Sequence, residues 1–485
     1  MNARRGIVVL VVALSLAGMV AVGHVVPTRS APVFAKLGSP SMPFVPSGSF
    51  VTSSWFCPGV PNGGDGLGGS VVVANPGDEL LTGRVTVFSS EPDVASVSRP
   101  VEVSGRGRVE LRLADLQPVG SFLSAMVEID NGGGVVEQMA QHPAGRSIAA
   151  CSNATSSNWY FAEGFTVGGS SEQLVLTNPY ADTATVSIGF ATASATGERR
   201  PPAFQGFPVP AGSVRVIELA SLGFRNEPVV AVQVNATRGR VVAGRQQHYV
   251  GGGRLGASMT LGAASLASTE YFADGESGGS TISERYSLYN PTDDAITVSA
   301  VFLGVALSDA FANDSELDVP AHSVVTFDPS TVEGLPVGRH AVVFSTLTTA
   351  SMVVERALVR STGSSSSGNG VVTVVGGAPD TSASTRWTMG IGTDVAVDGA
   401  LVVLNIDGLD GTVTVAALGP GGLLPVPGLE GLPIPAGAIV TIPLTDPGVI
   451  GKSLVVSSTR QVYVERLFTR GAGGAGRTGS FALRG

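Results

Sequence analysis

The sequence predicts an all-β protein: four tandem β-sandwich units of the immunoglobulin-like kind behind one N-terminal membrane helix. Three observations carry this expectation. Sixty-five glycines and 30 prolines are scattered among short apolar runs, as turns between strands require, because Gly supplies positive φ and Pro presets the first turn position. Beyond the N-terminus no long stretch is apolar at the i, i+3, i+4, i+7 spacing of a helix. One set of four landmarks then recurs four times in the same order, the signature of a repeat architecture.

The chain opens on Arg4 and Arg5, followed by 18 uncharged residues at 6–23. A basic start and an apolar core have the form of an export signal, and the run approaches the length of a membrane span. Ala21-Val22-Gly23 is a weak cleavage site, so residues 1–26 are read as an uncleaved signal-anchor. Secretion after signal cleavage is the alternative. Placement with the basic end inside leaves everything after the helix outside the cell membrane. Residues 27–50, with prolines at 27, 32, 40, 43 and 46, read as an extended Pro/Ser-rich stalk.

Four units follow, at 51–152, 153–266, 267–381 and 382–485. Each opens on an aromatic lead: Trp55, Trp159, Tyr271 and Trp387, expected to plug the core of its own unit. Each continues into a strand that ends at an Asn: Asn75, Asn178, Asn290 and Asn405. In the first three the Asn is followed by Pro, a turn in which Asn caps its own backbone and Pro fixes φ. The third landmark is Val209-Pro210-Ala211-Gly212 and its relatives ahead of another strand. The fourth is a charged-polar step: Glu137-Gln138, Arg245-Gln246, Glu355-Arg356 and Glu465-Arg466. About seven short strands per unit, with turns every 8–12 residues, match a two-sheet sandwich. A β-propeller is the alternative, and needs two blades in each unit.

Only 14% of residues are charged, against about 25% in ordinary soluble domains. The net charge of −9 has no concentrated block of either sign, so a nucleic-acid partner is not expected. The two cysteines, Cys57 and Cys151, both lie in the exported part, where one pair is expected to bridge and tie the ends of the first unit; two buried free thiols are the alternative.

Catalysis is not expected, nor a cofactor or metal. Five histidines show none of the paired spacings of a metal site, and no nucleophile, metalloprotease or phosphate-loop motif is present. Asp314, Glu316 and Asp318 alternate near one turn and Asp407 and Asp410 crowd another, but neither forms a calcium loop. His142 and His248 follow the step in the first two units and read as half-exposed strand residues. The Glu-Arg steps read as structural ion pairs, with Glu163 and Asp274 of the leads as the natural partners to test.

The local pattern Leu-x-Leu-x-Asn-Pro followed by an alternating strand resembles bacterial surface immunoglobulin-like modules. The whole plan resembles an actinobacterial cell-envelope family of unknown function (domain-of-unknown-function family 5719). It combines the anchor, Trp55-Phe56-Cys57-Pro58-Gly59, a second lone Cys about a hundred residues on, and the Trp-Tyr-Phe-Ala-Glu-Gly leads. The fourth unit departs from the pattern: Ile406 follows Asn405, and its lead lacks the acidic residue. The family has no assigned activity, so no catalytic role carries over. Function is therefore expected to be structural: a membrane-anchored scaffold holding envelope proteins. A module binding cell-wall glycan, with Tyr160 and Tyr289 as out-facing platforms, is the alternative.

Overall fold

Valine-rich runs and Asn turns fold as short antiparallel strands in a computed structural model that describes residues 42–48, 51–278, 282–305, 315–348, 350–361, 370–393, 399–419, 422–470 and 476–485. The expected membrane helix and all but the end of the stalk lie outside these residues. Among them, no helix is long and apolar enough to cross a membrane. Helix is confined to single turns such as Leu113–Leu116. Most of the remaining described residues are strand, in several sheets, none of them closed into a barrel.

The same pairing scheme appears four times along the chain. Lead strands at Thr52–Phe56, Asn158–Gly164, Thr269–Ser277 and Ser384–Met389 pair antiparallel with the strands Phe122–Asp130, Val230–Arg238, Gly338–Thr346 and the first half of Leu454–Arg470. Those strands pair in turn with the strand that leaves each Asn turn. In the second sheet of each set, the strand that runs into the Asn turn pairs with the strand carrying the charged-polar step. These step strands are Val135–His142, Val242–Tyr249, Val353–Ser361 and the second half of Leu454–Arg470. A closing strand completes the sheet: Gly145–Ala150, Arg254–Leu261, Gly370–Gly376 or Gly476–Phe481.

Each pair of sheets encloses an apolar core. In the second set Trp159, Phe161, Leu174, Leu176, Ile188 and Val232 meet between the sheets. Residues on the opposite face of the Asn strands are buried as well. Val175 packs with Phe88, Phe122 and Val214, so this strand faces its own core on one side and a neighbouring set on the other. That is why these strands read as continuous apolar runs, such as Leu401-Val402-Val403-Leu404, all fully buried, rather than as the alternation of a half-solvated sheet.

The closing strands bring the four sets together. Each packs against the next, and the fourth packs against the first. Arg254 and Leu255 pair in parallel with Gly370 and Val371, the Ser147 hydroxyl accepts from Met259 N at 2.8 Å, and Ile148 N donates to the Thr478 hydroxyl at 3.0 Å. The cycle surrounds a cavity of about 140 Å³ lined by residues such as Ile148, Met259, Val374 and Phe481, and Met42 also lines it. The end of the expected stalk is therefore docked. Met42 joins the fourth set's core, Phe44 bridges to Arg484, and the Arg484 guanidinium lies 5.7 Å from the Phe44 ring.

The third lead differs from expectation. Tyr271 lies opposite Val343 as Tyr160 lies opposite Gln233, and each also bridges to the residue just beyond its closing strand, Ala378 or Ala263. Tyr271 is thus the counterpart of Tyr160, and the tryptophan position holds Glu270. Trp55, Trp159 and Trp387 are fully buried. Tyr271 instead is half-buried and stacks on Tyr463 of the fourth set at 4.7 Å, while Phe272 fills the third core.

Candidate functional site

The residues singled out for chemistry converge where one strand set meets the next. Glu137, Gly244, Glu355 and Glu465 lie opposite Val72, Val175, Ser287 and Val402, each three residues before its Asn. They are one structural position. The residue after it is Gln138, Arg245, Arg356 or Arg466. Neighbours on a strand point to opposite faces, so the first of each pair faces the preceding set and the second faces the following one.

At the seam between sets two and three, Arg245 Nη1 and Nη2 reach Glu355 Oε2 and Oε1, both at 3.0 Å. The same Oε2 accepts the backbone N–H groups of Ala162 and Glu163, each at 2.6 Å. Those two amides belong to the lead, where the pairing register slips between Phe161 and Gly164 and leaves them without a strand partner. The next seam repeats this. Arg356 forks onto Glu465, which also accepts Ala273 N at 3.2 Å and Asp274 N at 3.1 Å. From the fourth set Arg466 reaches Glu137 Oε1 at 2.5 Å and Oε2 at 3.2 Å, and Glu137 accepts Ile391 N at 2.8 Å. All six side chains are buried. Burial alone would lower the Arg245 guanidinium, but Glu355 together with Glu172 and Tyr249 outweighs it and holds the pKa above its ordinary value.

Glu163 and Asp274 are not the partners of these steps through their side chains. Glu163 takes Arg254 at 2.5 Å, Arg285 of the third set at 3.2 Å, and the Ser287 hydroxyl. Burial opposes its charge, but these arginines outweigh burial and hold the carboxyl below its usual range. Asp274 takes Arg339 at 3.3 Å and Arg360 at 3.4 Å. Gly164 lies beside this network: a Cβ there would come 2.1 Å from a Glu172 oxygen, so the buried Glu172 carboxyl would have to shift.

The seam between the first and second sets carries no ion pair at this position. Glu is replaced by Gly244 and Arg by Gln138. Gln138 Oε1 accepts Gly59 N at 2.8 Å, and Gln246 Nε2 donates to Gly59 O at 2.6 Å. Gln246 and His248 on one strand, and His142 on the other, line a cavity of about 300 Å³ here. The His142 and His248 rings stand 4.2 Å apart, tilted at 50°. Burial, and then the neighbouring His248, push His142 down to about 4, and burial lowers His248. Both shifts favour the neutral imidazoles.

The remaining expected residues are structural. Cys57 and Cys151 form a disulfide. Each turn Asn makes the same three bonds. Asn178 Nδ2 donates to Asp182 O at 2.8 Å and Val209 O at 2.9 Å, while Oδ1 accepts Tyr180 N at 3.0 Å. Asn75, Asn290 and Asn405 repeat them on Glu79, Val103 and Gly77, on Asp294, Val319 and Thr292, and on Leu409, Ile434 and Asp407. The Asn therefore ties its own turn to the third landmark. Tyr289 is fully buried and Tyr160 packs against its cluster, so neither offers an out-facing platform. Glu270 is buried, accepts Val354 N at 2.8 Å, and is pushed up to about 8 by burial. Among the described residues no three His, Cys, Asp or Glu side chains converge as metal ligands; Asp314 lies outside those residues.

A run from the step of the first set, across this neutral seam and the whole second set, to Glu270 is one contiguous stretch of the chain. Residues 135–270 match the model of DUF5719, a family of unknown function. The DUF5719 stretch includes Gln138, Cys151, the second lead and the Arg245 step, so it covers the whole second set together with the step and closing strands of the first. No curated protein matches the chain.

Proposed function

We propose that this is a non-enzymatic, extracytoplasmic protein of an actinobacterial cell envelope, anchored in the membrane by residues 1–26 and serving as a scaffold for partner proteins. On this reading residues 51–152, 153–266, 267–381 and 382–485 are four immunoglobulin-like sandwiches, and the cyclic contact of their closing strands is the one feature shared with a propeller. The observation that carries the reading is the use of Arg245–Glu355, Arg356–Glu465 and Arg466–Glu137 to join consecutive sets. The charged groups that chemistry would need are spent on holding the body together. The disulfide suits an oxidising compartment.

The test is crosslinking of the full-length protein in its envelope, followed by mass spectrometry. Defined protein partners, mapping to particular strand sets, support the scaffold. Retention on purified cell-wall glycan without protein partners favours the second reading, a glycan-binding module, to which the uncharged cavity of the first seam gives specific support. Release into the medium of a chain lacking its N-terminal segment would replace the anchor by a cleaved signal.

A further inference from the structure

We propose that the seam between the first and second strand sets is a binding site for an uncharged polyhydroxylated ligand, one neutral sugar residue, held by Gln246, His248 and His142. The proposal rests on the glycan-binding reading and gives it a place. It is independent of the scaffold.

The comparison with the next seam isolates what is special here. Strand alternation puts Tyr249, Ala357 and Val359 at the second seam where His142, Gln246 and His248 stand at the first. At the second seam these residues pack with Phe165 and Val372 into an apolar cluster. At the first, the same space remains open as the cavity of about 300 Å³, the lower end of the ~300–1,000 Å³ typical of ligand sites. Polar side chains have replaced an apolar filling and left room beside them.

Only part of their hydrogen-bonding capacity is spent on the protein. Gln246 donates to Gly59 O, which leaves its own oxygen as an acceptor. His142 Nδ1 accepts from Ala144 N at 3.0 Å, which puts the proton of the neutral ring on Nε2 as a donor. The His248 ring makes no hydrogen bond to the described residues and offers one donor and one acceptor. A sugar hydroxyl both donates and accepts, and this mixed set suits it. No Asp, Glu, Lys or Arg lines the cavity, so a charged ligand would lose hydration without meeting a counter-charge. A metal ion is disfavoured because the Nδ1 lone pair of His142 is already engaged and its other nitrogen carries the proton.

The test titrates the full-length chain with glucose, galactose, mannose, arabinose and N-acetylglucosamine, with glucuronate and glucosamine as charged counterparts. Calorimetry gives the affinity, and NMR follows the imidazole signals of His142 and His248. One neutral sugar is expected to bind and to move both imidazoles, with the charged counterparts weaker. His248→Phe removes no protein hydrogen bond and is expected to weaken binding at least about tenfold, one hydrogen bond's worth; Gln246→Met acts in the same direction. Binding by none of these sugars, or equal binding by His248→Phe, overturns the proposal. If His248→Phe still holds purified cell-wall glycan as tightly as the wild type, this site falls while the glycan reading stands. If neither sugar nor glycan binds, both fall.

Discussion

Glu355→Gln is the sharpest probe of how the strand sets are joined. The carboxylate accepts two bonds from Arg245 and two from the lead amides of Ala162 and Glu163. A glutamine is nearly isosteric but leaves Arg245 buried and uncompensated, which costs about 3–5 kcal/mol. If its oxygen turns to the amides, its NH2 faces a guanidinium; if it turns to Arg245, two buried N–H groups lose their acceptor at about 1–3 kcal/mol each. The readout is hydrogen exchange at Ala162 and Glu163, because a chain of several strand sets has no single two-state unfolding energy. A local loss of about 3–5 kcal/mol accelerates exchange there roughly a hundred- to several-thousand-fold. Arg245→Met alone carries a similar cost by leaving Glu355 unpaired. The double variant is expected to cost clearly less than the sum, because neither charge is then orphaned. Unchanged protection of the second lead, or strict additivity of the two substitutions, would refute the coupling.

Three further outcomes follow from the same geometry. Asn178→Asp turns two donated bonds into carboxylate–carbonyl contacts at Asp182 and Val209; a loss of about 2–6 kcal/mol is expected, read as faster exchange in both the turn and the strand near Val209. Replacing Cys57 and Cys151 with Ala opens a loop of 94 residues and is expected to cost up to about 4.5 kcal/mol; reductant should lower the wild-type Tm and leave the variant's unchanged. Glu270 is pushed up to about 8 from an ordinary 4.5, so the folded state holds a proton that the unfolded chain releases. Its contribution is complete below about 4.5 and is lost as pH rises toward 8. Glu270→Gln should therefore gain on the wild type across that window, by up to about 5 kcal/mol, and a pH-independent difference between the two would refute the raised pKa.

Much of the architecture was legible because it depends on short-range signals. The Asn strands, their turns and the four-fold recurrence follow from local spacing, and the Asn bonds at residues i+2 and i+4 are local too. The disulfide followed from compartment and from Cys57 and Cys151 flanking one set of strands. The seams were hidden because their partners are far apart in sequence: 110 positions for Arg245 and Glu355, 109 for Arg356 and Glu465, and 329 for Arg466 and Glu137, each pairing running from one set to another. Looking for partners within a unit therefore led to Glu163 and Asp274. A signal was nonetheless present. Gly244 breaks the row of glutamates and Gln138 breaks the row of arginines, and these are the two members of a single seam. An aromatic lead at Tyr271 sets the third unit one residue out of register, whereas Ala273-Asp274-Gly275 aligns with Ala162-Glu163-Gly164 and puts Glu270 in the tryptophan's place. Tyr289 looked exposed because its strand was expected to have one wet face; a neighbouring set covers that face.

The neutral seam is best understood as one coordinated change rather than the erosion of an ion pair. Where the other leads present amides to a carboxylate, the first lead has Pro58, which has no N–H to satisfy, and Gly59, whose N–H goes to Gln138. A glutamate at position 244 would not fit, because even a Cβ there would lie 2.4 Å from Pro58 O. An arginine at position 138 would then be buried without a partner. Each substitution alone therefore costs several kcal/mol, and together they remove the charges, the orphan amide and the clash at once. What replaces the carboxylate clamp is adjacent in the sequence. Cys57 immediately precedes Pro58 and is bonded to Cys151, just beyond the first closing strand. Two leads are held through paired amides and a third through the Ile391 amide, in each case by a glutamate from the next set; the first is held covalently to its own. The cycle of strand sets thereby closes with one join that needs no buried charge, and that join is where the polar cavity lies.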